Sequence, residues 1–207
     1  MSVSRRAVAG LVVVGLVAFW FFHDTNPRAA KPTAGSTIVA FGDSLVEGRG
    51  ATPGHDFVTL LSRRLSVPIV NAGRSGDTAT TALDRLDASV LSRNPRLVIV
   101  LLGGNDFLRR VPTDETFRSL STIVERIRQR GAAVVLVGVS VGLISDPYAG
   151  KYDALARRTS SGLVPDILED IIGRADRMSD SIHPNDRGYA IIADRIEPAV
   201  RDLIESD

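Results

Sequence analysis

The chain has 207 residues, 44% apolar and 24% charged, a balance that fits one globular domain plus an extra segment and excludes disorder or a coiled coil. It contains no cysteine, which rules out a thiol nucleophile, a disulfide framework, cysteine metal sites and a lipoprotein anchor. The formal net charge of +1 provides no global field to draw nucleic acid, and the arginine pairs at 63–64, 109–110 and 157–158 read as solvated faces.

Residues 1–25 read as a targeting segment. Ser4-Arg5-Arg6 precedes an uncharged run from Ala7 to Phe22 that ends in Trp20, Phe21 and Phe22. A basic flank, an apolar stretch and an aromatic patch are what a membrane-inserting segment needs. The run is roughly 16 residues, between a signal-peptide core and a comfortable spanning helix. An uncleaved anchor, a signal cleaved near Ala29-Ala30 and a buried helix of the domain all remain open. Arg5 and Arg6 place the N-terminus in the cytoplasm, so the domain lies outside the membrane (periplasmic) or is exported after cleavage. Residues 26–36, rich in Pro, Ala, Thr and Gly, read as a tether.

From residue 37 to 207 short β-branched runs alternate with helical patterns. Strands are expected at Thr37–Phe41, Pro68–Asn71, Leu97–Leu102 and Ala133–Val139, with a weaker one at Gly162–Val164. The third and fourth are apolar on consecutive residues, as strands covered on both faces are. Helices are expected over Phe57–Leu65 and Asp77–Leu91. A third runs from Thr113 to Gly131, with acidic Asp114 and Glu115 in its first turn, and a fourth from Gly188 to about Ile204. This alternation implies an α/β domain with a parallel sheet between helical layers.

Chemistry-bearing residues fall where strands end. Gly42-Asp43-Ser44-Leu45 follows the first strand, placing a serine where the chain leaves the sheet, the edge at which open α/β sheets bind ligands. A serine there can serve as a nucleophile or simply as a turn residue. Of three histidines, His23 abuts the apolar segment and His55 sits in a turn. His183 lies in Asp180-Ser181-Ile182-His183-Pro184, just before the last helix, with Asp180 three residues back to orient its ring. The third strand runs into Gly103-Gly104-Asn105-Asp106. The Asn105 amide can donate to an oxyanion there, although Asn-Asp is also a common turn pair. The second strand ends at Asn71-Ala72-Gly73, where Gly73 would let a backbone N–H approach a substrate, or mark an ordinary βα turn. Phe107, Leu108, Val141, Leu143 and Ile144, in loops after the third and fourth strands, either line an acyl pocket or pack on the sheet.

Taken together, Gly42-Asp43-Ser44-Leu45, Gly73, Asn105 with Gly104 and Asp106, and Asp180-x-x-His183 resemble the four sequence blocks of the SGNH (GDSL) hydrolases over residues 37–200. The longer phrases are most similar to the bacterial periplasmic acyl-CoA thioesterase/arylesterase/lysophospholipase branch. The resemblance implies a flavodoxin-like three-layer α/β/α sandwich whose five-stranded parallel sheet has order 2-1-3-4-5. It further implies Ser44 as nucleophile, His183 as base and Asp180 as its orienter. The oxyanion hole would comprise the N–H groups of Ser44 and Gly73 and the Asn105 side chain, with no metal or cofactor. The substrate would be a small-molecule ester or thioester such as an aryl ester, acyl-CoA or lysophospholipid, cleaved through an acyl-serine. Two other readings stand beside it. One is a carbohydrate O-acetyl esterase acting on cell-wall or exported polysaccharide. The other is a membrane-tethered binding module with a vestigial site, disfavoured because every chemical position is filled.

Overall fold

The computed structural model describes residues 29–140 and 146–205, so residues 1–25 lie outside the described part. Its elements, in chain order, are β1 (Thr37–Gly42), α1 (Ser44–Glu47), α2 (Phe57–Leu65), β2 (Ile69–Gly73), α3 (Ala79–Asp84), α4 (Leu86–Ser89), a 3-10 turn (Leu91–Arg93) and β3 (Pro95–Leu101). They continue with α5 (Gly104–Leu108), α6 (Thr113–Gln129), β4 (Ala133–Val137), α7 (Ala149–Thr159), β5 (Gly162–Val164) and α8 (Asp186–Ile204). Among the described residues no helix is long and apolar enough to cross a membrane.

The five strands form one parallel sheet in the order β2-β1-β3-β4-β5, as the resemblance implied. Because side chains alternate across a strand, the uninterrupted apolar runs of β1, β3 and β4 feed two cores. On one face Ile38, Ala40, Leu97, Ile99, Val135 and Val137 meet α2 and α8 through residues such as Phe57, Leu61, Ile192 and Ile196. On the other, Val39, Phe41, Val98, Val100, Val134 and Leu136 meet α3, α4, α6 and α7 through Ala82, Leu86, Ile123 and Tyr152. The register sets the carboxyl ends level: Gly42 lies opposite both Gly73 and Leu101, Leu101 opposite Val137, and Val137 opposite Val164.

Three differences from the sequence expectations matter. The single helix expected over Asp77–Leu91 is broken at Arg85 (φ −105°, ψ 6°), whose side chain turns inward instead of continuing the solvent face. The helix Ala149–Thr159 was not expected. It buries only Tyr152, Leu155 and Ala156, contains Gly150, and starts at Tyr148 without a side-chain cap, so its periodic signal is faint. The described part of the expected tether is docked. Ala30 N–H donates to Ser160 C=O at 2.8 Å, Thr33 and Ala34 N–H to Gly131 C=O at 2.8 and 3.3 Å, and Ser36 N–H to Asn94 C=O at 3.0 Å. Those acceptors precede β5, β4 and β3, so residues 30–36 cross the amino edge of the sheet, the pole opposite Ser44.

Starting the chain at residue 37 rather than 29 removes these four hydrogen bonds. It should lower unfolding free energy by about 2–4 kcal/mol, read as a lower urea midpoint for the shorter protein. Equal midpoints would show that the strap contributes nothing.

Candidate active site

Ser44 is placed by the change from strand to helix. After β1, Asp43 takes a non-helical conformation (φ −96°, ψ −146°) and its Oδ1 accepts the Leu45 N–H at 3.0 Å, capping the one-turn helix α1. Ser44 is the first residue of that helix, so its N–H has no intrahelical acceptor. Leu45 and Val46 are buried beneath it, which holds the turn against the core.

The His183 loop is clamped from several directions. Asn185 caps α8 by accepting the N–H groups of Arg187 and Gly188 at 3.0 and 3.2 Å, while its Nδ2 donates to the Asp176 and Met178 carbonyls. Ser179 donates to the His183 carbonyl through both N–H and hydroxyl. Within the loop, Asp180 Oδ1 accepts the N–H groups of Ile182 and His183, each at 2.7 Å, and Oδ2 lies 2.8 Å from His183 Nδ1. The bond from the His183 ring and then those from the two backbone N–H groups hold the Asp180 carboxyl well below the usual carboxylate range. An ionised carboxylate only accepts, so the proton sits on Nδ1. The Nε2 lone pair then faces Ser44 Oγ at 3.1 Å. A hydroxyl so placed can lose its proton to the ring as it attacks an electrophile, and Asp180 stabilises the resulting imidazolium.

The candidate oxyanion donors differ in their present partners. Asn105, on α5 directly after β3, directs its Nδ2 at Asp43 Oδ2 (3.2 Å) and at the Asp77 carbonyl (3.1 Å). The Gly73 N–H donates to Asn71 Oδ1 at 2.9 Å, and Asn71 Nδ2 donates in turn to the Val46 carbonyl at 2.6 Å. Gly73 is glycine because α1 passes over it: a Cβ would lie 2.1 Å from the Glu47 nitrogen. Four residues on, Asp77 N–H closes a turn onto the Arg74 carbonyl at 3.2 Å, with Gly76 at its third position and φ +83°. The Gly76 N–H lies outside the turn's own bond, next to the Asp77 peptide that holds Asn105. Sequence reasoning chose Gly73 because it ends the strand. The Ser75-Gly76-Asp77 run, a turn signature before a helix cap, is the signal that pointed further along.

Asp43 is a second site residue that sequence reasoning left without a role. Its side chain is almost wholly buried. Burial, aided by the nearby Asp106 and Asp77 carboxylates, pushes its carboxyl up to about 7, against the opposing bonds from Leu45 N–H and Asn105.

Beside Ser44 opens a cleft of about 400 Å³ lined by Leu45, Phe107, Leu108, Val139, Leu168 and Ile182, with Ile172 at its rim. Phe107 and Leu108, for which the sequence left an acyl-pocket wall and packing on the sheet both open, line this cleft and are exposed. Val141, Leu143 and Ile144 lie outside the described residues. The far wall comes from the irregular segment after β5, Asp166 to Ile172, which carries no periodic signal in the sequence.

Comparison with known proteins agrees with this geometry. A model of the GDSL-like lipase/acylhydrolase family matches residues 40–191. The chain is 31% identical over 185 residues to esterase TesA of Pseudomonas aeruginosa, covering 84% of this chain and 92% of that protein. It is 29% identical over 185 residues to thioesterase 1/protease 1/lysophospholipase L1 of Escherichia coli K12, covering 86% and 89%. The crystal structure of TesA matches the fold with a TM-score of 0.77 at 30% identity, over 82% of this chain and all of that one. A strand order, a Ser-His-Asp arrangement and a match spanning most of the chain converge: this protein belongs to the GDSL-like lipase/acylhydrolase family.

Proposed function

We propose that the protein hydrolyses carboxylic esters and thioesters through an acyl-Ser44 intermediate. The observation that carries this reading is the Ser44 Oγ to His183 Nε2 contact of 3.1 Å, with Asp180 Oδ2 2.8 Å from the other ring nitrogen. Ser44 Oγ attacks the carbonyl carbon while its proton passes to Nε2, and the imidazolium returns that proton to the departing alkoxide or thiolate. Water then repeats the sequence on the acyl-enzyme, giving up a proton to His183 and releasing the acid. The oxyanion is met by the Ser44 N–H, the Asn105 amide and one loop N–H. We assign the loop donor to Gly76, whose N–H lies outside the Arg74–Asp77 turn bond, because the Gly73 N–H points back along its own strand to Asn71 Oδ1.

The apolar lining of the cleft favours an acyl chain, and the names of the relatives (esterase, thioesterase, lysophospholipase) accord with this chemistry. We also assign the domain to the outer side of the cytoplasmic membrane, on the strength of Arg5, Arg6 and the apolar run that follows. Protease added to intact spheroplasts should therefore degrade the domain. Protection until the membrane is breached would sink that assignment.

With p-nitrophenyl butyrate, Ser44→Ala and His183→Ala should each lower turnover by several orders of magnitude. Asn105→Ala should cost roughly 10²–10³ in kcat. Unchanged hydrolysis by Ser44→Ala would overturn the mechanism. In the same assay, kcat/KM should rise from acetyl to octanoyl esters; a preference for acetyl would favour the carbohydrate esterase reading instead.

Asp43 predicts a pH-dependent stability. Its folded carboxyl holds a proton up to about pH 7, whereas the unfolded one releases it near 3.8. The stabilising contribution is therefore complete below pH 4 and lost as pH rises to about 7. It amounts to roughly 4 kcal/mol at most. Urea denaturation of wild type and Asp43→Asn between pH 4 and 8 should show wild type losing stability relative to the variant as pH rises through this window. A constant difference would refute the raised value. Asp180, with its lowered carboxyl, acts in the opposite sense: its contribution is present above pH 4 and lost in acid.

A further inference from the structure

The break at Arg85 points beyond the residues that touch substrate. Its side chain is only 13% exposed. The guanidinium makes three different connections: Nη2 to the Gly42 carbonyl at 2.9 Å, Nη1 to the Ala72 carbonyl at 3.0 Å, and Nε to Asp77 Oδ2 at 2.5 Å. Its Cζ also lies 4.5 Å from the centre of the Phe41 ring. Gly42 is two residues before Ser44. Ala72 and Asp77 are the two ends of the loop that carries Gly76. The Asp77 carbonyl is one of two acceptors that hold the Asn105 amide. One planar fork thus grips the chain on both sides of the loop and beside the nucleophile, and reaches Asn105 through one further peptide.

We infer that Arg85 is the positioning residue of the oxyanion site, setting the mutual spacing of the Ser44, Gly76 and Asn105 donors. This rests on the acyl-Ser44 reading above. The reason lies in the geometry of the guanidinium. Donors stabilise an oxyanion only if they are aimed before the charge develops. Three donor loops on separate strands need a rigid tie, and a buried arginine supplies five N–H groups in a fixed plane. Lysine would keep the charge beside Asp77 but could not hold both carbonyls and the carboxylate in one plane. Asp77 is itself bonded on its other oxygen by Arg74 Nε at 2.8 Å and by Thr81 Oγ1 at 3.1 Å.

Two variants of the full chain test the inference, Arg85→Lys and the milder Asp77→Asn, which keeps the carbonyl to Asn105. With p-nitrophenyl butyrate each should lower kcat, by about 10- to 100-fold for Arg85→Lys, while KM stays within about twofold. Labelling of Ser44 by a fluorophosphonate should slow in proportion, because phosphonylation also develops negative oxygen. The decisive measurement is the double variant Arg85→Lys/Asn105→Ala. If Arg85 acts through the donors, its cost in the Asn105→Ala background should shrink well below its cost in wild type. A full multiplicative cost, a rise in KM with kcat intact, or a lower melting temperature with normal kcat would overturn the inference and leave Arg85 a structural tie. Failure of wild type to label at all would instead refute the Ser44 reading, and this inference with it.

Discussion

The parallel register that sets Gly42 level with both Gly73 and Leu101 governs everything chemical in this protein. Ser44 and His183 lie 139 residues apart, yet their side chains meet at 3.1 Å. That contact exists because consecutive apolar strands are buried on both faces. A slip of one residue in such a strand exchanges its two core faces, so β1, β3 and β4 have one register to adopt. Once it is adopted, the strand ends lie along a line and the loops that follow them share a small volume. The catalytic arrangement is in this sense a by-product of core packing, made specific by short polar clamps at the edge.

Those clamps use the same residue type in opposite ways. Asp180 is about half exposed and bound by three N–H groups, so it stays ionised and holds His183 in one tautomer. Asp43 and Asp106 are buried, and loss of hydration pushes both carboxyls upward. Asp106 still accepts the Ala79 N–H at 2.9 Å and fixes the start of α3, hence the position of Asp77 and Arg85. Three aspartates therefore have three tasks, separated by burial and by the number of donors each receives.

Much of this could be read from the residues. The β-branched runs located all five strands, with shifts of one or two residues at their ends, because a doubly covered strand needs an unbroken apolar stretch. Ser44, Asn105, Asp180 and His183 were visible because each follows a strand or precedes a helix with recognisable punctuation. What escaped depended on where side chains point. Arg85 sits inside a helical pattern, and nothing local says that it turns beneath two strand ends. Gly73 and Gly76 are both plausible turn glycines. The Asn71 side chain, bonding back to the Gly73 N–H, and the positive φ of Gly76 separate them. The strap over residues 30–36 has tether-like composition, and its order comes from carbonyls left open before β3, β4 and β5, which no local pattern announces.

The side-chain donor of the site is already bonded, and this bears on how the site works. Both hydrogens of the Asn105 amide already have acceptors, at Asp43 Oδ2 and the Asp77 carbonyl. An incoming oxyanion must compete with them, so catalysis gains only the difference between old and new bonds. A fully charged Asp43 would be the stronger competitor, because bonds to ionised acceptors are roughly twice as strong as neutral ones. Burial works against that charge, pushing the Asp43 carboxyl up to about 7. In the proposed mechanism the amide is thus held in its orientation by acceptors weaker than the oxyanion it would meet. The site is aimed in advance, while the developing negative charge remains the best partner within reach.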